Sequence, residues 1–172
     1  MATMHVDEIK ALAQQAHNND AVRDALFEAL WSENRDNAVH SAWALTHLPK
    51  MDNDHIAVHR EALVDLATST PDTSLRRITL SLLERLEWDI PADDEEVPRY
   101  YVELLNFCLK HLMMPSEPYS VRALCMKLSY TLSRPYPELL DELRQCLLLL
   151  EPSELGAGVR HTREKILEKM QG

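Results

Sequence analysis

Glycine is almost absent from this sequence. The 172 residues contain three, Gly156, Gly158 and Gly172, and residues 1–155 contain none. Loops that cradle phosphates and turns that bind dinucleotides need glycine, because glycine lets the backbone approach a ligand closely and adopt positive φ. The sequence therefore excludes P-loop and Rossmann-type nucleotide sites over nearly the whole chain, and it disfavours tight β-hairpins.

Long apolar runs and a cysteine framework are also missing. No stretch approaches the ~20 apolar residues that a membrane-spanning helix requires. Residues 1–10 carry two acidic side chains and lack the apolar segment of a secretory signal, so we expect a cytoplasmic protein. Cys108, Cys125 and Cys146 have neither metal-knuckle nor disulfide-framework spacing, and all three fall in apolar helical stretches. We expect buried thiols.

Basic residues are outnumbered. The chain has 28 acidic and 18 basic residues and a net charge of −10, which opposes binding to nucleic-acid phosphates. Part of the excess lies in the proline-containing segment 89–98, where Asp93, Asp94, Glu95 and Glu96 are consecutive. This run lacks the alternating ligands and central glycine of an EF-hand. We interpret it as a solvated loop between two halves of a single domain, residues 1–172.

Three segments share one amphipathic helical pattern. Each begins with a Val or Leu followed by Arg, at Leu75-Arg76, Val121-Arg122 and Val159-Arg160, and continues with apolar residues at helical spacing. The starts lie 46 and 38 residues apart. Helices that repeat in this way bury their apolar stripes against one another, so the pattern predicts an α-solenoid.

Turn signals divide the chain into four helical hairpins. They cover approximately residues 20–48, 53–88, 97–134 and 137–171. A capping helix at Val6–Ala16 precedes them. The second hairpin is expected to contain one helix at His55–Thr68 and another at Leu75–Trp88. The predicted fold is an all-α, right-handed α-solenoid of about four hairpins, with no strand.

The Val/Leu-Arg pair and the apolar residues after it resemble the second helix of HEAT and armadillo-type repeats. Residues 117–168 are similar to a family of short bacterial HEAT-like proteins, some of which carry the label adenylosuccinate lyase. The resemblance implies an interaction scaffold, and the label would imply a lyase. Lyases of that superfamily have a catalytic loop with a serine pair, a lysine and an asparagine, whereas residues 113–116 here read Met-Met-Pro-Ser. We therefore predict no catalytic or cofactor-binding residues.

Two further patterns have a functional and a structural interpretation. His55 and His59 have the i, i+4 spacing of a zinc-binding pair, but Ile56 replaces the glutamate of zinc proteases, and we predict no metal site. Arg76, Arg122 and Arg160 recur at one position of the pattern. The resemblance to HEAT-like repeats implies structural residues that bind turn carbonyls or an Asp between helices, and we favour this interpretation over a phosphate site.

A candidate binding surface follows from the same register. We call the Val or Leu that begins each pattern its slot, and Asn37 takes that place in the first hairpin. The residues two, six, nine and thirteen positions after each slot should face the concave side of the solenoid. These positions carry five basic and two acidic residues, a reversal of the overall charge. The candidate residues are Trp43, Lys50, Arg77, Glu84, Trp88, Lys127, Tyr130, Arg134 and Lys165.

Aromatic residues among Arg and Lys are typical of binding surfaces. We predict a non-enzymatic module that binds a protein partner and does not bind a membrane. The alternatives are a nucleic-acid-binding protein of the DNA repair scaffold type and the lyase. The register also predicts that Leu75, Val121 and Val159 are buried and that Lys127 and Lys165 are exposed.

Overall fold

The computed structural model describes residues 5–89 and 95–172, which form ten α-helices and two short 3-10 helices and, within those ranges, no strand. The all-α prediction is confirmed. The chain divides into two compact units, Met1–Leu86 and Glu87–Gly172. The single continuous domain stays a prediction. Half of the acidic segment 89–98, including Asp93 and Asp94, lies outside the described residues.

The first unit contains six α-helices in its described part. They are α1 Val6–Asn18, α2 Asp20–Ala29, α3 Arg35–Thr46, α4 Asn53–Ala57, α5 Arg60–Ser69 and α6 Thr73–Glu84, with a 3-10 turn at Lys50–Asp52. Helices α2 and α3 pack as one hairpin and α5 and α6 as the next, while α1 covers α2 and α3. Helix α3 also packs along α6, so the second helices of the two hairpins are neighbours.

Short polar side chains start three of these helices. Asn19, Asn34 and Asp72 each accept a hydrogen bond of 2.9–3.1 Å from a backbone N–H in the first turn of the helix that follows. Such a cap satisfies a donor that has no partner within the helix and stabilises it by about 1 kcal/mol. The turn residues of the sequence therefore set where α2, α3 and α6 begin.

The predicted helix at His55–Thr68 is interrupted. Helix α4 ends at Ala57, and α5 begins at Arg60. The break accompanies two tertiary contacts: Ile56 is fully buried, and the His59 ring stacks on Phe27 with centroids 3.9 Å apart. The local helical pattern predicted one continuous helix, and it carries no information about the stacking of His59 on a residue of α2.

Helix α6 also ends earlier than predicted, at Glu84 rather than Trp88. Arg85 caps it and turns toward the end of α3, where its guanidinium donates to the carbonyls of Thr46 and Leu48 at 3.3 and 2.9 Å. The carbonyls that end a helix have no partners within it, and an arginine suits their partial negative charge.

The second unit contains the other four helices of the described chain. They are α7 Arg99–His111, α8 Tyr119–Ser133, α9 Pro137–Leu149 and α10 Ala157–Gln171, with a 3-10 turn at Pro152–Glu154. Helices α7 and α8 form one hairpin, α9 and α10 form the next, and α8 packs along α10. At the start of α10 the chain comes so close to α8 that a Cβ on Gly156 would lie 3.0 Å from the Tyr119 ring. The four predicted hairpins are therefore present, two in each unit.

The predicted register is confirmed. Leu75, Val121 and Val159 are buried, with exposed fractions of 7%, 0% and 2%, while Lys127 and Lys165 are exposed. Lys127 and Lys165 each lie six residues, or about 1.7 helical turns, after a buried residue and thus on a different face, as expected for helices that bury a single stripe. Of the thiols, Cys108 and Cys125 are buried and Cys146 is half-buried. Burial raises the pKa of Cys108 well above its ordinary value.

Two arginines of the pattern bind turn carbonyls, as interpreted from the sequence. Arg76 donates to the carbonyl of Thr70 at 2.6 Å, and the buried Arg122 donates to that of Leu112 at 3.0 Å. Each guanidinium reaches back to the end of the helix before it. Arginine at this position therefore connects the two helices of a hairpin.

The prediction is wrong for Arg160, which is exposed. Arg163, three residues later and thus on nearly the same helix face, donates instead to the carbonyl of Leu147 at 2.8 Å. The end of α9 therefore lies opposite the second turn of α10 rather than the first.

Candidate binding groove

The candidate groove lies between α3 and α6. These helices run parallel, since Arg35 at the start of α3 pairs with Asp72 at the start of α6, and Arg85 joins their ends. When two neighbouring helices run parallel, residues at the same level along the two helix axes lie side by side, even though they are distant in sequence. Trp43 and Arg77 are brought to one groove in this way.

The groove has a volume of about 490 Å³. Five of its lining residues belong to the predicted stripe: Val39, Trp43, Thr46, Arg77 and Ser81. The others are His40, His47, Ser74 and Ile78. The surface combines one large aromatic ring, one guanidinium, two imidazoles and three hydroxyls, the mixture of apolar and hydrogen-bonding groups that is typical of ligand-binding sites.

Trp43 is held by its own helix. Its neighbours Ala42 and Ala44 are fully buried, which fixes the orientation of α3, and the Thr46 hydroxyl donates to the Trp43 carbonyl at 2.6 Å. The indole itself is half-buried and lies 6.4 Å from the His47 ring, tilted by 49°. Part of the indole surface is therefore available to a ligand.

Arg77 is exposed, and within residues 5–89 and 95–172 it makes neither an ion pair nor a side-chain hydrogen bond. The adjacent Arg76 faces the other way and binds carbonyls. Among the described residues that line the groove there is no carboxylate, and Glu84, the acidic residue of the predicted stripe on α6, is exposed at the end of that helix and outside the lining. The groove is thus locally positive in a chain of net charge −10.

Sequence reasoning missed part of the lining. His40 and His47 each follow a predicted stripe residue by one position, and Ile78 follows Arg77 in the same way. A groove between two parallel helices is lined by flanking positions as well as by the central stripe. The sequence signal was the pair of histidines seven residues apart, which marks one helix face.

The other candidates in the first unit lie outside the groove. Lys50 is exposed on the 3-10 turn after α3, and Glu84 is the last residue of α6.

Trp88 belongs to the second unit, where its ring packs edge-on against Tyr101 at 6.1 Å. Burial raises the pKa of Tyr101 to about 12, and its hydroxyl donates to the Leu132 carbonyl at 2.5 Å. Trp88 is therefore engaged in the packing of α7.

The second unit carries another aromatic and basic group on α8 and α10. Lys127, Arg134 and Lys165 are exposed, and Tyr130 is half-buried. The Nζ of Lys169, a residue outside the predicted stripe, lies over the Tyr130 ring at 5.6 Å from its centroid. This distance fits a cation–π contact.

The two histidines considered for zinc binding occupy different environments. His55 is exposed, whereas His59 stacks on Phe27 beyond the end of α4. Burial lowers the pKa of His59, with Asp24 partly opposing the shift. In the described part of the chain, no group of three or more His, Cys, Asp or Glu residues is arranged to hold a metal ion.

Comparison with known proteins identifies a family. The family model described as a HEAT repeat domain matches residues 1–170. No curated protein and no solved structure is significantly similar to the chain. Of the helices that the structure describes, none is long and apolar enough to cross a bilayer.

Proposed function

Since the chain belongs to the HEAT repeat family, we propose that it is a non-enzymatic protein-interaction module whose groove between α3 and α6 binds a partner. HEAT repeats commonly serve as scaffolds for other proteins, and their stacked hairpins present extended surfaces to a partner. The observation that supports the proposal most is the placement of Trp43 and Arg77 in one groove. Tryptophan and arginine are the residues that most often dominate binding energies at protein interfaces.

The group around Tyr130 in the second unit is a second contact region in this proposal. It has the same chemistry, an aromatic ring with a basic side chain over it, Lys169, and further exposed basic residues, Lys127 and Lys165, on the same two helices. The protein would thus use equivalent faces of its repeats, as expected when each hairpin presents its second helix in the same way.

Substituting Trp43 is expected to weaken partner binding strongly. Truncation of an interface tryptophan costs about 2 kcal/mol or more, which corresponds to a roughly 30-fold lower affinity. The immobilised protein and its Trp43→Ala variant are used to capture proteins from a lysate, and the captured proteins are quantified by mass spectrometry. Partners bound through the groove should be depleted on the variant.

Trp31→Ala is the matched control, because Trp31 is also an accessible tryptophan, 47% exposed, but does not line the groove. Circular dichroism verifies that both variants are folded. Equal recovery of every partner by the wild-type protein and Trp43→Ala would contradict the proposal, as would an equal loss with Trp31→Ala.

A further inference from the structure

We infer that the partner segment received by the groove is acidic: a short peptide that places a carboxylate on Arg77 and an apolar side chain on Trp43. The inference rests on the proposed function and narrows it to the chemical class of the partner. The groove is at once aromatic, cationic and, along its described lining, free of carboxylates.

Arg77 provides the charge for this recognition. Its guanidinium offers a planar fork of donors that fits a carboxylate through two parallel hydrogen bonds. Within the described residues no side chain of the protein uses those donors. His40 and His47 add ring nitrogens on the opposite wall, and Ser74 and Ser81 add hydroxyls beside Arg77. A basic segment would meet no carboxylate in this lining and would be repelled by Arg77.

The dimensions of the groove set the length of the segment. His40 and His47 are seven residues apart on α3, as are Ser74 and Ser81 on α6, so each wall is about 10 Å long at the helical rise. An extended peptide covers about 3.3 Å per residue. About three residues therefore lie within the groove, enough for one apolar side chain and one or two carboxylates.

A protein segment fits the charge distribution better than nucleic acid does. Binding to a phosphate backbone relies on several Lys or Arg contacts. Among the described residues that line the groove there is one arginine and no lysine. A single carboxylate beside an apolar anchor needs no more than Arg77 and Trp43.

The test uses the fluorescence of Trp43 in the full chain with Trp31→Phe and Trp88→Phe, so that one tryptophan reports. The probe is a capped pentapeptide of alternating aspartate and leucine, compared at low salt with peptides that carry asparagine or lysine instead of aspartate. We expect saturable binding of the acidic peptide, about tenfold or more tighter than that of the other two. Arg77→Gln should weaken it about tenfold, because a charged hydrogen bond is lost.

Arg144→Gln is the charge-matched control, since Arg144 is exposed on α9 in the second unit and pairs with Asp141. It should leave peptide binding unchanged. Four results would overturn the inference: no binding of the acidic peptide up to about 1 mM, equal binding of the asparagine or lysine peptide, no effect of Arg77→Gln, or tighter Arg77-dependent binding of a single-stranded oligonucleotide. Capture that depends on Trp43 would still stand after the first three results, so failure of the inference is distinguishable from failure of the proposed function.

Discussion

Replacing Leu128 with alanine is expected to lower the free energy of unfolding by about 2–5 kcal/mol. Leu128 is fully buried in α8, the helix that packs against α7, α9 and α10. The substitution removes buried apolar atoms and leaves a cavity that the close-packed interior fills only in part. Because α8 is central to the second unit, the loss should not be confined to one contact.

Lys127→Ala is the matched control, since it changes the adjacent residue on the exposed face of the same helix. Its effect should stay within about 0.5 kcal/mol. Urea denaturation followed by circular dichroism measures both variants. A large loss with Lys127→Ala and a small one with Leu128→Ala would show that α8 is placed in the wrong register.

Replacing Arg122 with methionine is expected to cost about 1–3 kcal/mol. Methionine keeps much of the apolar length of the side chain but removes the donors. The Arg122 guanidinium is buried and donates at 3.0 Å to the carbonyl of Leu112, which caps α7. Without that donor a buried carbonyl loses a partner, and the connection between α7 and α8 is weakened.

The same substitution at Arg160 is the control, because Arg160 occupies the equivalent position of the repeat but is exposed. Its effect on the free energy of unfolding should be within about 0.5 kcal/mol. Arg163→Met, by contrast, should lower the free energy of unfolding, since Arg163 donates to the carbonyl of Leu147. Equal stability of Arg122→Met and the wild-type protein would show that these arginines are not structural.

The hairpins and the register were predictable because they depend on local signals. Apolar residues at helical spacing determine which side of a helix is buried, and this placed Leu75, Val121 and Val159 correctly. Asn and Asp at the turns determine where helices begin. The stripe that contains Trp43 and Arg77 follows from the same geometry, which is why most of one wall of the groove was found from the sequence.

The remaining features depend on contacts between distant segments. The break after Ala57 accompanies the stacking of His59 on Phe27, a residue 32 positions earlier in the chain. That Arg163, rather than Arg160, donates to the end of α9 depends on how the turn before α10 positions the two helices. Likewise, His40 lines the groove only because α6 lies beside α3. Periodicity within one helix carries no information about these distances.

Hydrogen–deuterium exchange with and without a captured partner tests most directly whether the groove is the binding surface. Exchange reports local opening along the whole chain, so it does not presuppose a site. The account predicts that the partner slows exchange in residues 39–47 and 74–81, and that Arg77→Gln diminishes this protection. Protection confined to α5 or α9, with α3 and α6 unchanged, would contradict it.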